Sequence, residues 1–293
     1  MFEGAITASI TPFKNSRLDI NSMQNHIVWQ YEQGIKSIVI SGCTGESSSL
    51  THDERNILAE VSVEVARKYQ DLKIILGIVS SSTEEAILLS QKAEMIGVDG
   101  LMVMCPAYNK PNQRGLYNHF KEINDSVSIP IMIYNSPSRT GVNISDETIS
   151  SLSMLRNIKA VKDSTGDLQR PITLRDMLKE GSDFKLLGAD DILALSFNAN
   201  GGEGCVSVAS NIIPSQIKNI QDLTLSGDFK SAYEIHKTLV PIYLSMFCET
   251  NPVPVKYAAF ITGKISSPEV RSPMMELTQE SKLMIENALK DLT

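Results

Sequence analysis

The stretch NIKAVKDSTGD, residues 157–167, is a β-branched, apolar run that ends in a lysine followed by an acid and small polar residues. A strand ending at Lys162 holds an amine rigidly at the rim of a sheet, and Gly166 lets the loop beyond it turn toward the next helix. Enzymes of several α/β folds keep their chemistry at that end of their strands. A lone strand-end lysine is more often solvated, or paired with a neighbour such as Asp163. The rest of the chain has to decide between these readings.

Seven other runs resemble IKAVKD in composition: GAITASI, SIVISG, KIILGIV, GLMVMC, PIMIYN, FKLLGA and GCVSVA. Each is followed by a loop and a segment of helical periodicity. Strands without alternating polarity are buried on both faces, and eight of them separated by helices predict a (β/α)8 TIM barrel of the α/β class. The helices carry their own punctuation. In SSSTEEAILLSQKAEMIGVDG, Ser82 or Thr83 can cap, Glu84 and Glu85 suit the positive end of the dipole, and Gly97 can close the helix. Ser145 gives the same start signal in TGVNISDETISSL. After the eighth run no further strand is convincing, and DFKSAYEIHKTLVPIYLSMF and SPMMELTQESKLMIENALKDL are amphipathic. The expected organisation is a catalytic barrel over residues 1–224 and a C-terminal helical extension over 225–293. An open doubly wound sheet is the competing architecture, and the chain lacks the glycine fingerprint of its dinucleotide-binding forms.

A chain of 293 residues with 42% hydrophobic and 21% charged residues can bury a large core. Its net charge of -7 and its scattered lysines and arginines argue against nucleic acid or an anionic membrane as the main partner. MFEGAITASITPF lacks the basic start of a signal peptide, and no run approaches transmembrane length. Cys43, Cys105, Cys205 and Cys248 lie far apart with no CxxC pair, which speaks against a zinc site or a disulfide framework and for reducing cytoplasm. His26, His52, His119 and His236 show no metal-ligand spacing and read as surface or structural residues, so no metal is expected.

Within a barrel the chemistry is sought at strand ends. The second run leads into SGCTGESSS, where Gly42 and Gly45 bracket Cys43 and Thr44, so that the backbone can turn and aim successive N–H groups at an anion. An ordinary Gly-Ser loop explains this stretch equally well. The fifth run leads into YNSPSRTG, which places Tyr134 at a strand end and Arg139 in a loop held by Pro137 and Gly141. A lone tyrosine there is usually a packing residue. An amine, a phenol and an anion-binding turn at three strand ends are harder to dismiss, and a desolvated lysine suits Schiff-base chemistry.

Together these loops resemble the pyruvate-dependent class I aldolase family that includes dihydrodipicolinate synthase and N-acetylneuraminate lyase. GCTGES is similar to the family's pyruvate-carboxylate loop, YNSPSRTG to its tyrosine loop and KDSTGD to its Schiff-base motif. CPAYNKPNQRGLYNHF, LLGADD, GGEGCVSVASN and ETNPVPVKYAAFITG extend the similarity over essentially the whole chain. Arg139 and NPVPVKYAA resemble the synthase branch, which implies a lyase that condenses pyruvate with aspartate semialdehyde in lysine and diaminopimelate biosynthesis, without a cofactor.

By that resemblance Lys162 forms an imine with pyruvate, the Cys43 and Thr44 amides hold the pyruvate carboxylate, and Tyr134 moves protons. Arg139 clamps the semialdehyde carboxylate, while Gly188 and the carbonyl of Val206 line the pyruvate pocket. Tyr108 matches a tyrosine that in many members crosses a subunit interface to complete the relay, which implies a homotetramer built as a dimer of dimers. Cys43 departs from the pattern: most synthases have a hydroxyl there, and a thiol is a weaker hydrogen-bond partner. At the effector site of lysine-sensitive members, His52 and Glu85 match but Arg55, Ser81 and Ala107 do not, so weak or absent inhibition by lysine is expected. The alternatives are another pyruvate aldolase, of the 2-keto-3-deoxy sugar-acid or N-acetylneuraminate lyase type, and a pyruvate-binding paralogue without turnover. Arg139 weighs against the first, and the joint presence of Lys162, Tyr134 and Arg139 against the second.

Overall fold

The computed structural model describes residues 1–290. Eight parallel strands close into a barrel: β1 Gly4–Ala8, β2 Ser37–Ile40, β3 Lys73–Ile78, β4 Gly100–Met104, β5 Ile131–Asn135, β6 Ile158–Asp163, β7 Lys185–Gly188 and β8 Gly204–Ser207. Each pairs with its neighbours in sequence, and β1 pairs with both β2 and β8 to complete the ring. These are the eight apolar runs expected from the sequence, and the fold is the expected TIM barrel. A short antiparallel hairpin, Phe13–Lys14 with Arg17–Leu18, follows β1.

Successive side chains of a strand face opposite ways, and the burial follows. Ile6, Val39, Ile75, Met102, Met132, Ala160, Leu187 and Val206 fill the barrel interior as one cluster. Ile38, Ile74, Leu101, Ile133, Val161 and Leu186 belong to a second cluster, between the barrel and its helices. Neither face meets water, which is why polarity does not alternate along these strands.

The helices begin and end where their punctuation directs. Helices α1 Ile20–Glu32, α2 His52–Ala66, α3 Thr83–Ile96 and α4 Gln113–Ser126 follow the first four strands. Ser82 caps α3 by accepting the Glu85 N–H, and Gly97 ends it at φ +95°, a left-handed conformation that costs glycine little. After β5 come the single turn α5, Pro137–Thr140, and α6, Asp146–Ser153, capped by Ser145. Helices α7 Arg170–Met177, α8 Ala194–Ala199 and α9 Pro214–Leu225 complete the wrapping.

Within the stretch expected as an extension, 225–293, lie α10 Phe229–Thr238, α11 Val240–Ser245, α12 Val253–Ile261 and α13 Gln279–Lys290; its last three residues, 291–293, are outside the described residues. These helices share an apolar cluster with α9 and with Ile10, Val208 and Ala209 beside the strand ends. The extension also reaches the β2–α2 loop through polar contacts. Asn251 Nδ2 donates to Thr44 Oγ1 at 3.0 Å, Arg271 donates to the Ser49 carbonyl at 3.0 Å, and Arg271 forks onto Glu54. No described helix is long and apolar enough to cross a membrane.

Three of the four histidines are structural. His26 is bonded to Asn211, His119 to Thr83 and His236 to the Ile192 carbonyl, and burial pushes His26 and His119 down to about 4. His52 is exposed and paired with Glu85 at 3.1 Å.

Candidate active site

Lys162 is the fifth residue of β6, in step with inward-facing Ala160, so its amine enters the barrel mouth at 5% exposure. Asp163, one residue on, faces the other way. Its carboxylate accepts from Arg170 Nη1 at 3.2 Å, Asn135 Nδ2 at 3.0 Å and Thr165 Oγ1 at 2.5 Å. The salt bridge between Lys162 and Asp163, plausible from sequence, is therefore not formed. Burial lowers the Lys162 pKa, Arg139 adds to that, and Cys43, Cys205 and Asp190 oppose it. The result is an amine biased toward its neutral, nucleophilic form.

The phenol stands beside the amine. Tyr134 pairs with Lys162 across β5 and β6, and Lys162 Nζ lies 4.3 Å from the centre of its ring. Burial is the largest influence on its hydroxyl and raises its pKa, as does Cys43, while a hydrogen bond with Ser136 and the charge of Arg139 pull it down. The hydroxyl stays protonated and can donate.

The β2–α2 loop closes over both groups in a tight turn. Glu46 N–H donates to the Cys43 carbonyl at 3.1 Å and Ser47 N–H to the Gly42 carbonyl at 3.2 Å. Ser41 and Glu46 bound the turn in left-handed conformation, at φ +52° and +53°. A Cβ at Gly45 would stand 2.9 Å from the Ser41 nitrogen, and one at Gly77 of β3 would stand 2.4 Å from the Ser41 oxygen. Glycine at both positions is what lets the turn lie so close to the barrel. Among the described residues no backbone carbonyl or side chain accepts from the N–H of Cys43 or Thr44. Two adjacent N–H groups without an intramolecular acceptor therefore border the same cavity as the Lys162 amine, an arrangement that can accept an anion.

A cavity of about 490 Å³ joins Cys43, Thr44, Tyr134, Arg139 and Lys162. Arg139 sits in the single turn α5, and its Nη2 donates to the Asn251 carbonyl at 3.4 Å. Gly188 ends β7 and Val206, the third residue of β8, lies in the interior cluster; neither lines the cavity, whose wall at these strand ends is made by Ala189, Asp190 and Val208. Tyr108 is not brought to the cavity by its own chain: it is 91% exposed at φ +69°. A second cavity, of about 580 Å³, shares Cys43, Arg139 and Asn251 and extends over Arg55, Ser81, Glu85 and Ala107. Arg55 is buried there, donating Nη2 to the Ser47 carbonyl at 2.9 Å, with Nε and Nη1 unpartnered.

Two residues of the site were not singled out from sequence. Asp190 lines the cavity, with its carboxyl pushed up by burial against the pull of Lys162. Asn251 touches Thr44 and Arg139 and keeps a buried, unpartnered Oδ1. The only sequence signals for them were the blocks LLGADD and ETNPVP, whose reach to the site is a matter of tertiary packing.

Comparison with known proteins bears on this geometry. The chain matches the model of the dihydrodipicolinate synthetase family over residues 1–292. It is 42% identical over 293 residues to a 4-hydroxy-tetrahydrodipicolinate synthase of Rickettsia bellii, covering 100% of this chain and 98% of that one. The dihydrodipicolinate synthase structure from Aquifex aeolicus superposes with a TM-score of 0.96 at 40% identity, covering 99% of this chain and 98% of that one. The one from Thermotoga maritima superposes with a TM-score of 0.96 at 34% identity, with the same coverage of each chain.

The outward pairing of Asp163 sets a stability prediction. Arg170 and Asp163 are both buried, and Arg170 also binds Asp146 at 2.8 Å. Arg170→Met should cost about 3–5 kcal/mol in urea denaturation, because it leaves a buried carboxylate without its cation. Adding Asp163→Asn should recover part of that loss. A cost below about 1 kcal/mol for the single variant would show that the pair does not hold this loop.

Proposed function

The chain belongs to the dihydrodipicolinate synthetase family, and we propose that it is a 4-hydroxy-tetrahydrodipicolinate synthase, a lyase that joins pyruvate to L-aspartate 4-semialdehyde in lysine and diaminopimelate biosynthesis. The observation that carries the reading is the buried Lys162 amine beside the Tyr134 phenol, under the free N–H groups of Cys43 and Thr44.

The pyruvate carboxylate binds to the Cys43 and Thr44 amides, and the neutral Lys162 amine adds to C2. Tyr134 donates a proton to the departing oxygen, which leaves as water, and an imine remains. Its positive nitrogen acidifies the methyl group, which loses a proton to give an enamine. The enamine carbon attacks the aldehyde carbon of the semialdehyde, whose oxygen takes up a proton. The amino group of the semialdehyde then attacks the imine carbon and expels Lys162, closing the ring. Arg139 holds the semialdehyde carboxylate, a task suited to its planar fork of donors. Gly188 and the Val206 carbonyl bound the pyruvate end.

The enzyme is a homotetramer, a dimer of dimers, in which Tyr108 enters the partner's site to complete the proton relay with Tyr134 and Cys43. Its exposure and left-handed backbone support this, since a strained, solvated aromatic gains nothing within its own chain. The compartment is the cytoplasm, where four free cysteines persist as thiols.

Borohydride reduction in the presence of pyruvate, followed by peptide mapping, should place the adduct on Lys162. Because its pKa is lowered, the neutral amine is available at lower pH, so adduct formation at subsaturating pyruvate should rise with pH through an inflection below the 10.5 of an ordinary lysine. An adduct on another lysine, or none, would defeat the mechanism. Arg139→Ala should raise KM for aspartate semialdehyde about tenfold to a hundredfold, from the loss of about 1.5–3 kcal/mol in a charge-assisted pair, with a much smaller change for pyruvate. Equal changes for both substrates in an assay coupled to dihydrodipicolinate reductase would remove Arg139 from acceptor binding. In the same assay Cys43→Thr should keep or raise kcat and Cys43→Val should lower it strongly; full activity of the valine variant would leave the loop with only its backbone role.

A further inference from the structure

The turn that seats the carboxylate is held from below by an ion pair that the reaction does not use. Lys256 in α12 has 0% exposure, and its Nζ lies 2.7 Å from Glu46 Oε1, itself on a nearly fully buried side chain. The other carboxylate oxygen accepts the Arg271 N–H at 2.9 Å. The Phe13 ring closes off the ammonium, its centre 4.2 Å from Lys256 Nζ, and the Arg271 guanidinium lies 4.3 Å from the same ring. Burial lowers the Lys256 pKa, and Glu46 opposes that shift.

For stability alone this is a poor arrangement. Stripping water from two charges cancels most of their attraction, and an apolar pair of the same volume would serve as well or better. An apolar pair could not, however, fix the direction of the backbone it hangs from. Two donors arriving at separate oxygens orient the Glu46 carboxylate, and through it a residue held at φ +53° without the freedom of glycine. That residue's N–H closes the turn onto the Cys43 carbonyl.

We infer that Glu46 and Lys256 are positioning residues for pyruvate: the buried pair locks the left-handed end of the turn and thereby aims the N–H groups of Cys43 and Thr44 at the substrate carboxylate. The inference rests on the reading of that turn as the pyruvate seat. It gives the C-terminal extension a second hold on the site beside the Asn251–Thr44 contact, and places the extension behind substrate binding and not only behind stability.

The test is the double variant Lys256→Met/Glu46→Gln, which removes both charges and so avoids a stranded carboxylate. At saturating aspartate semialdehyde its KM for pyruvate should rise at least tenfold while kcat changes less than threefold. Without any substrate, hydrogen exchange of the peptide covering residues 41–47 should quicken at least tenfold, with exchange over Lys185–Gly188 unchanged. A wild-type pyruvate KM, or unchanged exchange in the turn, would overturn the inference. So would a uniform quickening of exchange through the barrel with kcat and both KM values moved together, since the pair would then be structural only. Failure of wild-type protein to trap pyruvate on Lys162 would defeat the proposed function instead, and exchange in the turn would then decide alone whether the pair holds it.

Discussion

In a closed parallel barrel adjacent side chains of one strand face opposite environments, and at positions 162 and 163 this separates an amine from the carboxylate next to it. Lys162 is turned into the mouth, where burial disfavours its charge, and Asp163 is turned outward onto Arg170. Had the two been able to pair, the lysine would be a protonated ion-pair partner and no nucleophile. The strand ends that surround it are arranged about that amine: a phenol on β5, a turn of free N–H groups after β2 and a guanidinium after β5.

Asp163 is not idle for facing away. Its carboxylate, with Asn135, Arg170 and Thr165, ties the end of β6 to β5 and to the start of α7. The same residue that cannot neutralise the lysine thus holds the loop through which the lysine is presented. The turn above is held by different means, through glycines at 45 and 77 that allow close approach and through contacts from Asn251 and Lys256 far along the chain. Two left-handed non-glycine residues in that turn cost on the order of 1–3 kcal/mol each, a strain that persists only where surrounding contacts over-determine the backbone.

The two cavities share Cys43, Arg139 and Asn251, so the floor of one is the wall of the other. In the larger cavity the Arg55 guanidinium keeps unpartnered nitrogens. Tyr108 lies outside the lining of both cavities and is almost fully exposed.

Much of this was legible in the chain itself. Eight apolar runs without polar alternation point to a parallel sheet covered on both faces, because only strands buried on both faces dispense with alternation, and Ser82, Gly97 and Ser145 mark helix ends by hydrogen bonding and left-handed geometry that act within a few residues. Lys162 and Tyr134 were readable as strand-end residues, and Cys43 and Arg139 as residues of the loops that follow two strands. What the sequence left open was which way each side chain points and what it meets across the fold. The outward turn of Asp163, the inclusion of Asp190 and Asn251 in the site, and the buried Glu46–Lys256 contact join residues as far as 210 positions apart. Such contacts are decided by barrel closure and by the packing of the C-terminal helices, which no local pattern encodes.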